Sequence, residues 1–161
     1  MTTPASHLWK PSQARLVTID SFVPAARGTT AVTPPPLNWP PKDPGDVLDY
    51  IFDIGPAIVG NDADNIATLG VTISPSNPGD LTMQNMTTDG SQIILWLANG
   101  QSGTVYNISF SITTGNGRTL QRTILLPVLL LSVPAVPAGA ILTSSGSALT
   151  DQNGNPIVSD T

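Results

Sequence analysis

Short segments in which apolar and polar residues alternate recur along most of the chain. In residues 46–54, Asp49 and Asp53 fall on one face of an extended backbone. From Leu48 onward the opposite face carries only apolar residues: Leu48, Tyr50, Phe52 and Ile54. Strict alternation is typical of a β-strand that buries one side. The pattern therefore predicts a strand whose apolar face lies in a core and whose aspartates face solvent.

Five further segments of strand length follow, with turn signals at intervals of about ten residues. They cover residues 66–73, 81–86, 92–98, 104–113 and 119–126. Asn99-Gly100 is a turn that needs positive φ, and Gly115-Asn116-Gly117 joins the last two segments as a hairpin. This spacing predicts an all-β fold, an antiparallel β-sandwich over residues 42–132.

The sequence on either side of the sandwich lacks a core of its own. Residues 1–41 form an N-terminal arm, in which five prolines between Thr33 and Pro41 predict an extended chain. Residues 15–23 alternate like a strand and pair either with their own domain or with a neighbouring subunit. Residues 133–161 are predicted to be a linker and a hairpin, which turns at 153–154 or at 144–146. We expect the sandwich to fold without the arm and the arm to be needed for assembly.

Composition and charge exclude several classes of function. The 161 residues include no cysteine and one histidine, His7, so disulfides, thiolate chemistry and zinc–cysteine sites are excluded and histidine chemistry is disfavoured. The net charge of -5 argues against a nucleic-acid partner. The apolar run 124–131 is too short for a membrane span, and the N-terminus lacks the pattern of a signal peptide. We expect no enzyme activity, no cofactor, no membrane partner and synthesis in the cytoplasm.

Charge also divides the chain. Residues 1–42 carry four basic residues and one aspartate, whereas residues 43–117 carry eight aspartates and no basic residue. The arm is therefore suited to lie along an acidic domain, its own or that of another subunit.

The polar candidates for chemistry are few. Asp62, Asp64 and Asn65 supply oxygens that calcium prefers, but they lack the rest of a calcium loop, so a solvated turn is the favoured interpretation. Asp49 and Asp53 are predicted to face solvent, where no desolvation would shift their pKa values toward those needed for acid–base catalysis. Arg118 follows a Gly-Asn-Gly turn and is expected to form a local salt bridge, or else an intersubunit contact.

Three motifs follow one another along the chain. The first combines Lys42-Asp43-Pro44 with Leu48-Asp49-Tyr50, and the second is the segment 103–108, which reads GTVYNI. The third combines Thr113-Thr114 with Gly117-Arg118-Thr119. Together they resemble the fiber-tail adaptor proteins of tailed phages, over residues 40–131. The resemblance implies an immunoglobulin-like sandwich, a structural role in the virion, many copies per particle and no catalysis. We therefore expect a tail protein whose partners are tail, connector and fiber proteins and further copies of this chain in a ring. A capsid decoration protein and a receptor- or carbohydrate-binding module are the alternatives.

Several apolar residues and one basic residue are the candidate contacts with other subunits. Tryptophan beside proline in an extended chain is a common anchor, which favours docking of Trp9 and Trp39 on a neighbour over packing in their own domain. The arm strand adds Leu16, Ile19 and Phe22. Leu129 and Leu131 end a run with more apolar surface than one strand face buries, so an arm or another subunit must cover it. Arg118 completes this set.

Overall fold

The computed structural model describes residues 11–19, 27–28, 30, 33–58, 64–132, 136–144 and 146–159. The chain divides into two compact units, Met1–Leu130 and Leu131–Thr161. Trp9 and Phe22 lie outside the described residues.

The described part of the first unit consists almost entirely of strands. A single 3-10 turn at Gln13–Arg15 and a short helix, α1 (Gly55–Ile58), are its helical pieces. The strands are β1 (Leu16–Thr18), β2 (Leu37–Asn38), β3 (Leu48–Asp53), β4 (Ile66–Ser74), β5 (Thr82–Asp89), β6 (Gln92–Ala98), β7 (Thr104–Thr114) and β8 (Thr119–Val128). In the parts of the chain that the structure describes, no helix has the length and apolar character to cross a membrane.

Two four-stranded sheets face each other, and the predicted all-β sandwich is confirmed. One sheet has the order β1-β3-β6-β5 and the other the order β2-β8-β7-β4. Strands β3 to β8 pair as the strands B, E, D and G, F, C of an immunoglobulin domain do. The sheets are mixed rather than wholly antiparallel, because β1 runs parallel to β3 and β2 runs parallel to β8.

The core follows the alternation of the sequence. Every second residue is buried between the sheets from Tyr106 onward in β7 and from Ile124 onward in β8, and β3 and β6 supply the facing side chains. The rings of Phe52 and Phe110 meet across the core with centroids 4.9 Å apart. Strand β6 lies between β3 and β5, as its apolar residues on both faces predict, and both of its faces carry buried residues.

The second unit pairs three short segments instead of forming one hairpin. Isolated bridges join Leu142 to Ala148, Thr150 to Pro156, and Ala140 to Val158. Both turns that the sequence offered as alternatives are therefore formed, and a third pairing closes the unit.

Candidate interaction surfaces

The start of the described chain is held to β3 by a partly buried ion pair. Arg15 Nη2 lies 2.5 Å from Asp49 Oδ1, and Arg15 Nε donates to the Asp49 carbonyl at 2.6 Å. The Ser12 amide donates to the second carboxylate oxygen at 2.7 Å. Burial raises the pKa of Asp49, but the hydrogen bonds from Ser12 and Arg15 and the charge of Arg15 outweigh it and hold the pKa below its ordinary value.

The prediction that Asp49 faces solvent is wrong: its exposed fraction is 6%. Alternation correctly places Asp49 on the outer face of β3, but residues 12–15 cover that face. A carboxylate covered by an arginine and an amide is part of the fold's framework.

Trp39 packs within its own domain and not on a neighbour, which corrects the favoured interpretation. It is 2% exposed, and its Nε1 donates to the Ile51 carbonyl at 3.0 Å. Its ring lies 5.2 Å from Tyr50 and 6.2 Å from Phe110, measured between centroids. The physical reason is that β2 pairs with β8 and so delivers the following residue into the space between the sheets.

The first of the three motifs holds a corner of the sandwich. Lys42 is fully buried, and its Nζ donates to the carbonyls of Asp43 at 2.7 Å and Asn99 at 2.9 Å. Burial lowers the pKa of Lys42, against the opposing charges of Asp46 and Asp43. The lysine thus joins the turn before β3 to the turn after β6.

The second motif holds another corner. The Tyr106 hydroxyl donates to Asp80 Oδ1 at 2.7 Å and accepts from the Gln101 amide at 2.8 Å. The hydrogen bonds from Tyr106 and Asn77 lower the pKa of Asp80, and burial raises the pKa of Tyr106.

Arg118, in the third motif, binds a carbonyl rather than a carboxylate. Its Nη1 donates to the Ala57 carbonyl in α1 at 2.8 Å, and its amide donates to Thr114 Oγ1 at 3.1 Å. Within the described ranges no carboxylate forms a salt bridge with it, so the expected ion pair is corrected. One residue of each motif, Lys42, Tyr106 or Arg118, therefore connects separate segments of this chain.

The two lateral sides of the sandwich differ. On one side the edge strands are β1 and β2, which belong to the N-terminal arm. On the other side, called here the open side, the edge strands are β4 and β5. All eight residues of β5 are exposed. A groove between the two strands is lined by Ile66, Ala67, Leu69, Met86, Thr87 and Thr88.

The apolar run 124–131 divides into a buried and an exposed part. Ile124, Leu126 and Val128 are fully buried by alternation. Leu129, at the end of the first unit, is 42% exposed, and Leu131, at the start of the second, is 53% exposed. The excess of apolar surface inferred from the sequence thus lies in the residues that follow β8.

The acidic loop before β4 is hydrogen-bonded to the turn between β7 and β8. Asp64 Oδ1 accepts from the Asn116 amide at 3.2 Å, and the Asn65 carbonyl accepts from the Gly115 amide at 2.9 Å. Asp62 lies outside the described residues. Among those that are described, no group of three or more carboxylate or histidine side chains is placed to hold a metal.

The candidate contacts thus fall into three groups. Ile19 and Trp39 pack in the core of the first unit, Leu16 is half-buried in β1 opposite Ile51, and Arg118 secures α1. Leu129 and Leu131 remain on the surface. Sequence reasoning missed the open side, because an edge strand and a central strand share the same alternation; only the pairing reveals which is which.

These features define a class: a two-sheet β-sandwich whose motif residues brace its corners and whose surface offers unpaired strand edges. Comparison with protein families agrees. The family model of the podophage GP4 fiber-tail adaptor protein gp77 matches residues 42–127, more than half of the chain. The chain therefore belongs to this family of structural phage adaptor proteins, and it is a component of a virion. A search of curated proteins gave no match.

Proposed function

We propose that this protein links the tail of a phage to its fibers through protein–protein contacts, as several copies around the tail. Family membership supports the role, and the open side supports the mode of contact. An unpaired edge strand can accept a strand from another chain by backbone hydrogen bonds.

The observation that carries the proposal is the unprotected edge of β4. From Thr68 to Ser74 the strand pairs with β7 in continuous register, without a bulge. It contains no charged residue and no proline, the devices by which proteins protect exposed edges. The opposite side is occupied by the chain's own β1 and β2. A head-to-tail contact from one side to the other would close several copies into a ring.

The role is tested by removing the gene for this chain from the phage. We expect particles that retain the tail but lack fibers, as measured by mass spectrometry of purified particles. Particles that keep a full set of fibers would refute the linking role.

The mode of contact is tested with a matched pair of substitutions. Thr72 on β4, Ser109 on β7 and Thr123 on β8 lie in one row across the sheet. Thr72→Lys places a charge on the open edge, whereas Thr123→Lys places the same charge on an interior strand. We expect Thr72→Lys to remove the chain from particles and Thr123→Lys to be incorporated. Native mass spectrometry of the purified chain should show multimers that Thr72→Lys loses; equal incorporation of both variants would exclude β4 as the contact.

A further inference from the structure

The second unit contains an eight-residue repeat. Residues 140–147 read AILTSSGS, residues 148–155 read ALTDQNGN, and residues 156–159 read PIVS. In each copy the second position is Ile or Leu. The two complete copies carry glycine at the seventh position, with φ of 81° at Gly146 and 84° at Gly154. Each of these glycines lies in a turn that requires a left-handed backbone, which glycine adopts without steric strain.

The backbone closes the three copies into a ring. The Ile141 amide donates to the Ile157 carbonyl at 2.9 Å, the Ile157 amide to the Leu149 carbonyl at 2.8 Å, and the Leu149 amide to the Ile141 carbonyl at 2.8 Å. Each copy thus gives one hydrogen bond and receives one. This triangle has the connectivity of a three-fold axis.

A second set of hydrogen bonds repeats around the same axis. They run from the amides of Thr143, Asp151 and Ser159 to the carbonyls of Ser147, Asn155 and Gly139. The exposed fractions agree as well: Ile141 is 43%, Leu149 42% and Ile157 41% exposed. Residues related by a rotation lie at the same height on its axis, so these three apolar side chains form one layer around it, and the side of the unit that carries this layer is called here the apolar end.

The charge of the unit limits what can cover that end. Among its described residues Asp151 alone is charged, and Asp151 Oδ1 accepts from its own turn, from the Asn153 amide at 2.8 Å and the Asn155 amide at 2.9 Å. The complementary surface is therefore apolar and uncharged, since an unpaired charge buried there would be costly.

We propose that the Leu131–Thr161 unit binds end-on to a homotrimeric partner, with the pseudo-three-fold axis of the unit on the axis of the trimer. A homotrimer presents three identical apolar sites around its axis, and this unit presents three equivalent apolar side chains from one chain. The inference rests on the proposed function, which makes the fiber the partner to test.

The test uses the full-length chain and the purified fiber of the same phage. We expect native mass spectrometry to show one copy of this chain for three fiber chains. Ile141→Asp and Leu149→Asp should each weaken binding by about tenfold or more and to a similar extent, because the sites are equivalent. Val105→Asp is the control, since Val105 is 49% exposed on the sandwich.

Folding of the variants is checked by hydrogen exchange at the amides of residues 141, 149 and 157, which the triangle protects. If an aspartate variant loses this protection, Leu149→Ala replaces it, with the same expected direction. A one-to-one complex, or fiber binding that survives both aspartate variants, would overturn the proposal. Self-association of the chain through this end, lost in the variants, would overturn it in favour of a second copy.

The fiber content of purified phage particles distinguishes this proposal from the linking role. Ile141→Asp should leave the chain in the particle while the fibers are lost. If particles without the chain keep their fibers, the linking role fails; if Ile141→Asp particles keep their fibers, only the assignment of this unit fails.

Discussion

The indole nitrogen of Trp39 and the carbonyl of Ile51 form a 3.0 Å hydrogen bond between the two sheets of the sandwich. Trp39 follows β2 in one sheet, and Ile51 belongs to β3 in the other. A residue of the proline-rich arm thus fills the centre of the domain, which changes what removal of the arm should do.

Deletion of residues 1–40 should therefore prevent the sandwich from folding, contrary to the expectation from sequence. It removes β1, β2, Ile19 and Trp39, and loss of a buried tryptophan side chain alone costs about 3–5 kcal/mol. Deletion of residues 1–10 is the control, because it leaves β1, β2, Ile19 and Trp39 in place. Circular dichroism and thermal unfolding of both proteins test this; a cooperative transition in the longer deletion would contradict it.

Replacement of Asp49 by asparagine should lower the free energy of unfolding by about 1–3 kcal/mol at pH 7, because a partly buried charged hydrogen-bond acceptor is lost. Since the folded-state pKa lies below the ordinary 3.8, the carboxylate stabilises the native state fully above that value. This contribution disappears as the pH falls through the folded-state pKa. Urea titrations at pH 7 and pH 3 should show that the free energy of unfolding falls less between these two pH values in Asp49→Asn than in the wild type. Asp89→Asn, an exposed site, is the control.

The two core tyrosines should respond in opposite directions to replacement by phenylalanine. The Tyr50 hydroxyl is buried and finds no hydrogen-bond partner among the described residues, so Tyr50→Phe should stabilise the protein by about 1 kcal/mol. Tyr106→Phe should destabilise it by about 1–3 kcal/mol, because Asp80 and the Gln101 amide lose their partner. Thermal unfolding measures both; equal effects would contradict the hydrogen-bond assignment.

Tyr50 also predicts a loss of stability in alkali. Burial raises its pKa from 10.0 to about 12. Between these values the unfolded chain releases the phenol proton and the native state retains it, so stability falls as pH rises. In Tyr50→Phe this part of the decline should be absent, as denaturant titrations at pH 9 and pH 11 would show.

Replacement of Lys42 by methionine should destabilise the sandwich by about 1–3 kcal/mol, because the carbonyls of Asp43 and Asn99 lose the donor of a buried lysine. Val105→Met, at an exposed position, should change stability by less than about 0.5 kcal/mol. Chemical unfolding compares the two variants, and equal stabilities would show that the buried ammonium has no structural role.

Alternation predicted β3, β7 and β8 because each of them has one face in the core. For β5, which is exposed along its whole length, and for β6, which is apolar on both faces, the spacing of the turn signals indicated a strand. Alternation did not predict what covers the outer face of β3, since Ser12 and Arg15 are distant in sequence from Asp49. Nor did it place Trp39, because parallel pairing of two- and three-residue strands leaves no pattern. The pairing in the second unit could have been predicted from the sequence, because its two turns occupy equivalent positions of one repeat. The prediction of a single hairpin treated these two turns as alternatives.

The pairing of β2 with β8 sets an order for biosynthesis. Leu37 leaves the ribosome early, but its partner Ile124 emerges only when nearly the whole sandwich has been made. The first unit therefore cannot complete its core during most of translation, and long-range pairing of this kind folds slowly. The second unit joins segments that are much closer in sequence, such as Leu149 with Ile141 and with Ile157, so its pairings are local by comparison. The nascent chain thus exposes its proline-rich segment until β8 has been made. Because proline cannot donate a backbone hydrogen bond, this segment is poorly suited to pair with other strands while it is exposed.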